Sequence, residues 1–581
     1  MIESASPTMH EAPAMSCSTE SDFVPADLDA HEWSNLEPLY RSLVDRKLNC
    51  ANCLKGLILD RSELDAAASE AMANLYIETT RHADDEVVQK AFEKFVQEVE
   101  PHLKKVGFEL DRKIVESPHV EGLDPERYDV LLRSLRTDVE IFREENVPIE
   151  TELSLLDQKY SKLCAVMTVE FDGEERTMPE MGRYLEVTDR EVREGAWKGI
   201  AERRLANRDE IDDIYDEMIE KRNQLAANAG FDNFRDFQHR RMHRYDYEPA
   251  DCERFHDAVE KHCVPVLRRL NAERRTELGL DPLRPWDLGV DVKGRSPLRP
   301  FDTADEMVEK TSRVFHRMDE RLGTMFDELR EGDCLDLASR KGKAPGGYQY
   351  QRERSRKPFI FMNAAGLHRD LETMVHEAGH AFHSMLCVDE PILAYRSAPM
   401  EFCEVASMAQ ELLTFPYLDE FYDATDADRA RREHLEGMAS ILPWIATIDA
   451  FQHWIYTTPG HTRDQRTAKW IELTDRFGAD VDWTGFEDAR AASWQRQLHL
   501  FGVPFYYIEY GIAQLGALQV WCNSLKGEKD AIERYMAGLA LGGTRPLPDL
   551  FEAAGAKFDL GEETVGPLME RVGSELESLP A

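Results

Sequence analysis

Apolar residues recur every three or four positions along most of this sequence, the spacing of helices with one buried face. One such stripe ends just before Gly230, a residue type suited to terminating a helix. A second stripe contains Pro101, which should end or kink its helix. The stripes are Ile211, Ile214, Tyr215, Met218, Arg222 and Leu225, and Phe92, Phe95, Val96, Val99 and Leu103. We interpret both as core faces and predict a mostly α fold.

Strand signals are few and lie close together. The apolar run PFIFMN at 358–363 stands between a basic stretch and the turn-like NAAG. A second candidate, Gly347–Tyr350, follows the loop RKGKAPGG. The two are near enough in sequence to pair as a hairpin, so we predict a small β-sheet just before residue 370.

The charge balance excludes some classes of partner. Lys and Arg number 71 against 111 Asp and Glu, giving a net charge of −40. Such a chain is poorly suited to phosphate backbones or an anionic membrane surface, so we expect no nucleic-acid or membrane partner. No run approaches the ~18–20 apolar residues of a membrane span. The single C-x-x-C, Cys50 and Cys53, lacks the second pair of a zinc ribbon, and we interpret both as ordinary thiols.

The N-terminal residues differ in composition from the rest. Residues 1–28 are rich in Ser, Pro, Glu and Thr, and we predict a disordered tail there. They lack the basic segment followed by an apolar segment that defines a secretory signal. We therefore expect a cytoplasmic protein. The sequence does not predict the oligomeric state.

The segment RDLETMVHEAGHAFHSML at 369–386 carries the chemistry. It contains H-E-x-x-H as His376, Glu377 and His380. On a helix, positions i and i+4 lie one above the other, so both imidazoles face one point, and Glu377 can reach a water there. Asp370 is placed to cap this helix. The pattern predicts a zinc site.

A catalytic zinc needs a third protein ligand. A metzincin would have Gly at 383 and His at 386, where this chain has His383 and Leu386. A thermolysin-like spacing would place a carboxylate near Pro399 or Met400. The next predicted helix, SAPMEFCEVASMAQELL at 397–413, offers Glu401 and Glu404, and the residues alone leave both open.

HEAGHAFH followed by FCEVAS resembles the thimet oligopeptidase and oligoendopeptidase F family of zinc peptidases, the oligoendopeptidase F branch being nearer. The resemblance implies that Glu404 is the third ligand of one zinc ion. Glu401 would then be a solvated carboxylate or a partner of a ligand imidazole, and we prefer the first. Similar segments cover much of the chain: IYDEMIEKRNQLAANAGFDNFRDF (214–237), PLRPWDL (282–288), RKGKAPGGYQY (340–350), PFIFMN (358–363) and LHLFGVPFYYIEYGIAQLGALQVW (498–521).

The family also implies an architecture. We expect a zincin with a thermolysin-like core, in which two helical halves enclose a deep channel that admits short unfolded peptides. We divide the chain into the tail at 1–28, an N-terminal α-helical domain at 29–200 and a zinc peptidase domain at 201–581.

Peptide hydrolysis also needs donors for the oxyanion and groups that align the substrate. If Pro504 starts a helix, Tyr506 and Tyr510 lie one turn apart on one face. The resemblance implies a histidine and tyrosines in this segment, which we assign to His499, Tyr506 and Tyr510. We assign substrate contacts to Gly346, Gly347, Tyr507 and His383, with Gly346 and Gly347 letting a peptide backbone approach closely.

The sequence thus predicts a zinc-dependent oligoendopeptidase in which Glu377 acts as general base and then as general acid. One alternative is an exopeptidase, such as a dipeptidyl carboxypeptidase or a carboxypeptidase-type zincin. That activity needs a group that captures a chain terminus, which we do not locate. A second alternative is a peptide-binding protein without activity, against which the intact ligand set and Glu377 argue.

Overall fold

The computed structural model describes residues 23–527 and 530–580. Residues 1–22 of the predicted tail lie outside the described residues. In the remaining part of that tail, the carbonyls of Pro25, Ala26 and Leu28 accept hydrogen bonds from Arg354. Helices account for 69% of the structure, which confirms the mostly α prediction.

The α-helices and β-strands follow in chain order. The first part contains α1 (Trp33–Asp45), α2 (Ala51–Arg81), α3 (Glu86–Glu98), α4 (Glu100–Val115), α5 (Pro125–Ile141), α6 (Asn146–Ala165), β1 (Thr168–Phe171), β2 (Glu174–Thr177), α7 (Met178–Gly182), α8 (Arg190–Leu205), α9 (Arg208–Asn228), α10 (Phe234–Arg241) and α11 (Pro249–Glu277). The second part contains α12 (Ala304–Met318), α13 (Glu320–Glu331), β3 (Leu335–Ala338), β4 (Tyr348–Arg352), β5 (Lys357–Ala364), α14 (His368–Leu386), α15 (Met400–Leu413), α16 (Ala424–Thr457), α17 (Arg463–Phe477), α18 (Glu487–Ala491), α19 (His499–Gly502), α20 (Ile508–Leu525), α21 (Ala531–Ala540), α22 (Leu547–Ala553) and α23 (Glu562–Ser578).

Helix boundaries follow the Gly and Pro signals closely. Gly230 has a φ of +85° two residues after the end of α9, as the sequence predicts. Pro101 does not end a helix but occupies the first turn of α4, where its missing N–H costs no helical hydrogen bond. The break therefore falls between Glu98 and Glu100.

The sheet near the predicted site has the strand order β3-β5-β4. β4 pairs antiparallel with β5, Tyr348 lying opposite Phe361, which confirms the predicted hairpin, and β3 pairs parallel on the other side. β4 is therefore an edge strand. Its alternate side chains point to opposite faces: the Tyr348 hydroxyl bonds Thr80 of α2, and Gln349 reaches Ser384 of α14.

Two hydrophobic cores organise the helices. The first is built mainly from α1–α5, and the second from α6 onward, including α14, α15, α16 and α20. Packing changes from one core to the other between Leu132 and Ile141, earlier in the chain than residue 200. Ion pairs such as Arg127–Glu390 and Arg81–Asp336 join the two parts. Within the described part of the chain, each helix is too short or too polar to cross a lipid bilayer.

Candidate metal centre and active site

α14 forms where the sequence predicts it and presents two imidazoles to α15. Asp370 caps the helix from its first turn, because its Oδ2 accepts hydrogen bonds from the N–H groups of Ala365 (2.7 Å) and Leu367 (2.9 Å). One face of the helix is buried in the second core. The rings of His376 and His380, one turn apart, are 4.9 Å from centroid to centroid.

Glu404 reaches the two imidazoles because α14 and α15 approach very closely. A Cβ at Gly379 would lie only 2.6 Å from the carbonyl oxygen of Ala406, so residue 379 permits this packing only as glycine. Oε2 of Glu404 lies 3.5 Å from Nε2 of His376 and 3.6 Å from Nε2 of His380. Ser407 holds the same oxygen by a 2.9 Å hydrogen bond.

The three groups fit a metal ion. Their ligand atoms all lie within 4.8 Å of one another, and two imidazoles with one carboxylate are a donor set that suits zinc. Burial raises the pKa of Glu404 and so favours its neutral form. A cation bound beside it would instead favour the ionised form. The fold therefore brings together His376, His380 and Glu404, the three residues that the sequence suggests as metal ligands.

Glu411, a carboxylate that the sequence did not predict at this site, contacts His376. Oε1 of Glu411 is 2.6 Å from Nδ1 of His376, which leaves Nε2 of that ring directed at Glu404. The other oxygen of Glu411 is 3.3 Å from His434, whose Nδ1 lies 2.8 Å from Glu372. The sequence does contain a signal for Glu411, because it follows Glu404 by seven positions and so lies on the same face of α15.

Glu377 lies beside the ligands and is 7% exposed. Burial raises the pKa of its carboxyl to about 7, with the charge of Glu404 acting in the same direction. The main-chain N–H of Gln349 donates to this carboxylate, which fixes it against the edge strand β4. A carboxyl with a pKa near neutrality is well matched to accepting and returning a proton.

Glu401 is not the solvated carboxylate that we preferred. It is 4% exposed, accepts a 2.8 Å hydrogen bond from the Tyr247 hydroxyl, and lies 3.9 Å from the buried guanidinium of Arg244. Arg244 also pairs with Glu509 at 2.8 Å. The prediction failed because these partners come from distant segments and compensate the buried charge.

The tyrosine segment adopts a turn where we expected a helix. α20 begins at Ile508 and not at Pro504, because Phe505 has a φ of +67°. Two buried groups hold this turn: Gln452 accepts from the Phe505 N–H at 2.6 Å, and Arg244 donates to its carbonyl at 2.5 Å. Such a strained residue at a candidate site is held only by its surroundings.

The turn nevertheless places Tyr506 and Tyr510 together. Their ring centroids are 5.3 Å apart, and those of His499 and Tyr510 are 6.0 Å apart. Burial raises the pKa of Tyr510 to about 12, and the charge of Glu404 acts in the same direction. Burial and nearby negative charge also raise the pKa of Tyr506. Both phenols are therefore neutral donors close to Glu404.

Tyr507 and His499 both contact Gln497. The Tyr507 hydroxyl lies near Gln497 and Trp444, and its ring is 4.8 Å from that of His499. Gln497 links the two residues, since it accepts from the Trp444 indole at 3.0 Å and lies 2.7 Å from Nδ1 of His499. Burial lowers the pKa of His499, which favours a neutral imidazole.

His383 is not brought into the site. Its ring is 4% exposed, Nδ1 lies 3.1 Å from the Leu539 carbonyl, and Nε2 accepts from the Ala398 N–H at 3.1 Å. Burial lowers its pKa to about 4. Both ring nitrogens are engaged by main chain, so His383 joins α14 to its neighbours and has no free nitrogen for a substrate.

Gly346 and Gly347 precede β4 but differ in surroundings. Gly346 has a φ of +107°, and a Cβ added to it would meet open space. A Cβ at Gly347 would lie 2.9 Å from Thr373 of α14. Gly346 therefore leaves room beside the edge strand, whereas Gly347 allows that strand to pack on α14.

A cavity of about 1800 Å³ lies between α11, α16, α17 and the loop at 282–298. It reaches α14 at Leu367–Glu372, one turn before His376, and Trp444 and Arg496 line it on the side of Tyr507. The three ligands themselves are not in its wall. Arginines and carboxylates both line the cavity, so the −40 net charge of the chain does not describe its interior.

His376 and His380 of α14 and Glu404 of α15 thus form a candidate metal centre within a mostly helical fold that has a small sheet beside it. The sequence profile of Peptidase family M3 matches residues 183–565, and that of the peptidase M3 N-terminal domain matches residues 23–142. The chain therefore belongs to peptidase family M3.

Individual relatives agree with this membership. Oligopeptidase PepF of Bacillus subtilis (strain 168) is 24% identical over 328 residues, which cover 55% of this chain and 48% of that protein. The match thus spans about half of that relative. The oligoendopeptidase F homolog of Borreliella burgdorferi is 23% identical over 454 residues, 74% of each chain. The solved structure of PZ peptidase A with an inhibitor superposes with a TM-score of 0.85 at 28% identity, covering 94% of this chain and 97% of that one.

Proposed function

We propose that this chain is a zinc-dependent oligoendopeptidase that hydrolyses internal bonds of short, unstructured peptides. One observation carries the proposal: Nε2 of His376, Nε2 of His380 and Oε2 of Glu404 converge on one point, with Glu377 beside them. Two of the relatives described above are named as an oligopeptidase and an oligoendopeptidase F homolog.

His376, His380 and Glu404 would hold the zinc ion. When bound there, zinc supplies a Lewis acid that polarises the scissile carbonyl and makes water a better nucleophile at neutral pH. The chain prepares the ligands for this role. Glu411 keeps the Nδ1 side of His376 occupied, and Ser407 orients the Glu404 carboxylate.

Glu377 moves the proton. Its carboxylate accepts a proton from the attacking water and then delivers that proton to the amide nitrogen of the leaving strand. A pKa of about 7 suits both directions of transfer at neutral pH. The N–H of Gln349 keeps the carboxylate beside the edge strand, where the scissile bond would lie.

Tyr506 and Tyr510 donate hydrogen bonds to the oxyanion that develops on the scissile carbonyl. Both phenols stay neutral because burial raises their pKa, so each retains a proton to donate. His499 packs against both rings and positions them. Fixed donors that face developing charge stabilise a transition state more than a ground state.

β4 aligns the peptide. An edge strand offers main-chain N–H and C=O groups to an extended chain without regard to its side chains. Gly346, beside the start of β4, leaves open space for the peptide backbone. A folded protein cannot present such a segment, so the proposal restricts substrates to short or unfolded peptides.

A quenched fluorescent peptide with both ends blocked tests the proposal on the full-length protein. We expect turnover that a chelator stops and that added Zn²⁺ restores, with mass spectra showing cleavage at internal bonds. Absence of turnover, or turnover that survives complete metal removal, would contradict the proposal. Cleavage only of unblocked peptides, one or two residues from an end, would favour an exopeptidase instead.

A further inference from the structure

A second group of metal-ligating side chains lies under the turn that carries Tyr506. It consists of His239 on α10, Cys252 on α11 and His453 on α16. One nitrogen or sulfur atom from each lies within 4.8 Å of the other two. The residues are buried, with exposed fractions of 5%, 0% and 5%, and no residue of the first metal centre belongs to the group.

The two histidines leave ring nitrogens without a partner. Nη1 of Arg244 approaches Nε2 of His239 only to 3.5 Å, at the limit of a hydrogen bond, so this contact engages the ring weakly. Within residues 23–527 and 530–580, Nδ1 of His239 and both ring nitrogens of His453 have no hydrogen-bond partner. Buried polar atoms normally find a partner, and an unfilled nitrogen carries a desolvation cost that a bound ion removes.

Asp449 stands behind this group as a carboxylate stands behind metal-ligating histidines. It is fully buried, and its Oδ2 lies 2.8 Å from Nε2 of His256 and 3.3 Å from Nε2 of His453. A carboxylate on one side of an imidazole fixes the ring and makes its other nitrogen a better ligand. Asp449 makes no hydrogen bond to Nε2 of His453, but its charge favours a proton on Nε2 and so leaves the lone pair of Nδ1 for an ion.

We propose that His239, Cys252 and His453 bind a Zn²⁺ ion distinct from the catalytic one. Neutral imidazoles and a thiolate are donors that zinc prefers, and the Cys252 thiol releases its proton to solvent on binding. The thiolate and the Asp449 carboxylate together balance the two positive charges of the ion. Because all three residues are buried, a substrate cannot reach the ion, and we assign the site a structural role.

The position of the site gives it a mechanical role. His239 and His453 contact the Phe505 ring, with centroids 5.8 Å and 5.5 Å away, and the neighbouring Gln452 accepts from the Phe505 N–H. An ion here ties α10, α11 and α16 together beneath the residue whose φ is +67°. It would therefore stabilise the turn that places Tyr506.

Metal content of the full-length protein is the first test. Every variant carries Cys50→Ser and Cys53→Ser, because the exposed Cys50 and its neighbour could bind ions adventitiously at the surface. In this background we expect two zinc ions per chain. We expect one in His376→Ala, one in Cys252→Ala, and two in Cys263→Ala, a control on the same helix that is equally buried and outside the group.

Cobalt substitution provides a readout independent of activity. The catalytic ligand set has no sulfur, so a thiolate-to-cobalt charge-transfer band in the near ultraviolet reports only the second site. We expect this band in the background protein, in His376→Ala and in Cys263→Ala, and its loss in Cys252→Ala. If Cys252→Ala does not fold, the background protein and His376→Ala still decide. One metal per chain in the background protein, or no charge-transfer band, would overturn the proposal.

Discussion

Nδ1 of His376 lies 2.6 Å from Oε1 of Glu411, two turns along α15 from Glu404. In the proposed metal centre, a single helix would therefore supply both a ligand oxygen and the carboxylate that orients a ligand imidazole. Removing the charge of Glu411 should loosen the His376 ring without removing a ligand. We expect Glu411→Gln to weaken metal binding by about 10-fold to 100-fold, measured by competition with a chromophoric chelator. Unchanged affinity would show that Glu411 does not orient the ligand.

Glu404 and Glu401 lie on the same helix but face different partners. We expect Glu404→Ala to lose its metal, because it removes the oxygen 3.5 Å from His376. Glu401→Ala should keep the metal but unfold at lower temperature, because it leaves the Tyr247 hydroxyl without its buried acceptor and removes one of the two carboxylates beside Arg244. Metal content and thermal unfolding of the two purified variants test this, and the reverse pattern of metal loss would reassign the ligand.

In the proposed mechanism, Glu377 transfers a proton and does not bind the metal. Glu377→Gln keeps the shape and the hydrogen bond from Gln349 but cannot accept a proton. We expect peptide turnover to fall by at least ~10²-fold while metal content stays equal to that of the unmodified protein. Ordinary turnover by this variant would refute the role of Glu377 as general base.

The tyrosines differ in where their hydroxyls lie. Burial and the charge of Glu404 raise the pKa of both Tyr506 and Tyr510, whereas the Tyr507 hydroxyl lies near Gln497 and Trp444. We expect kcat to fall roughly 10²–10³-fold for Tyr506→Phe and for Tyr510→Phe, since each removes a proposed oxyanion donor. Tyr507→Phe serves as the matched control and should change kcat little. A large loss confined to Tyr507→Phe would move the oxyanion donor to that residue.

Asp336 joins β3 to the N-terminal helices and should make this junction sensitive to acid. Burial alone would raise its pKa, but hydrogen bonds from Arg340, Lys343 and Arg81 outweigh burial and hold the pKa well below its usual range. A carboxyl whose pKa is lower in the native state than in the unfolded state stabilises the fold at pH values above the unfolded pKa of ~3.9. This stabilisation is lost as the pH falls below that value toward the native pKa.

Asp336→Asn should therefore lower the thermal unfolding temperature at neutral pH. Its difference from the unmodified protein should shrink as the pH falls below about 5. Asp333→Asn, an exposed carboxylate three residues earlier, is the control and should show neither effect. A difference between Asp336→Asn and the parent that is constant with pH would exclude this linkage.

Local patterns predicted which residues of the candidate metal centre lie together. The i and i+4 spacing of His376 and His380 placed both imidazoles on one face, and resemblance to a family selected Glu404 over Glu401. The hairpin of β4 and β5 followed from two short apolar runs. These features depend on contacts within one segment or between neighbouring segments, which a sequence displays directly.

Features that depend on distant contacts could not be predicted. Phe505 adopts a positive φ because Gln452 and Arg244 hold it, so Pro504 does not start a helix. His383 shares the helical face of the ligands, yet Leu539 and Ala398 occupy both of its nitrogens. Glu401 is buried only because Arg244 and Tyr247 arrive from elsewhere. In each case the deciding partner lies more than ten residues away in sequence.

The contact at Gly379 has a consequence for metal exchange. Because main chain touches main chain where α14 meets α15, the spacing of the ligands is set by packing and does not require an ion to draw the helices together. An ion bound at the proposed centre would then be able to leave and return while the scaffold keeps its shape. Different divalent ions would meet the same rigid geometry, so their size and coordination preference, and not refolding of the protein, would determine which of them supports activity.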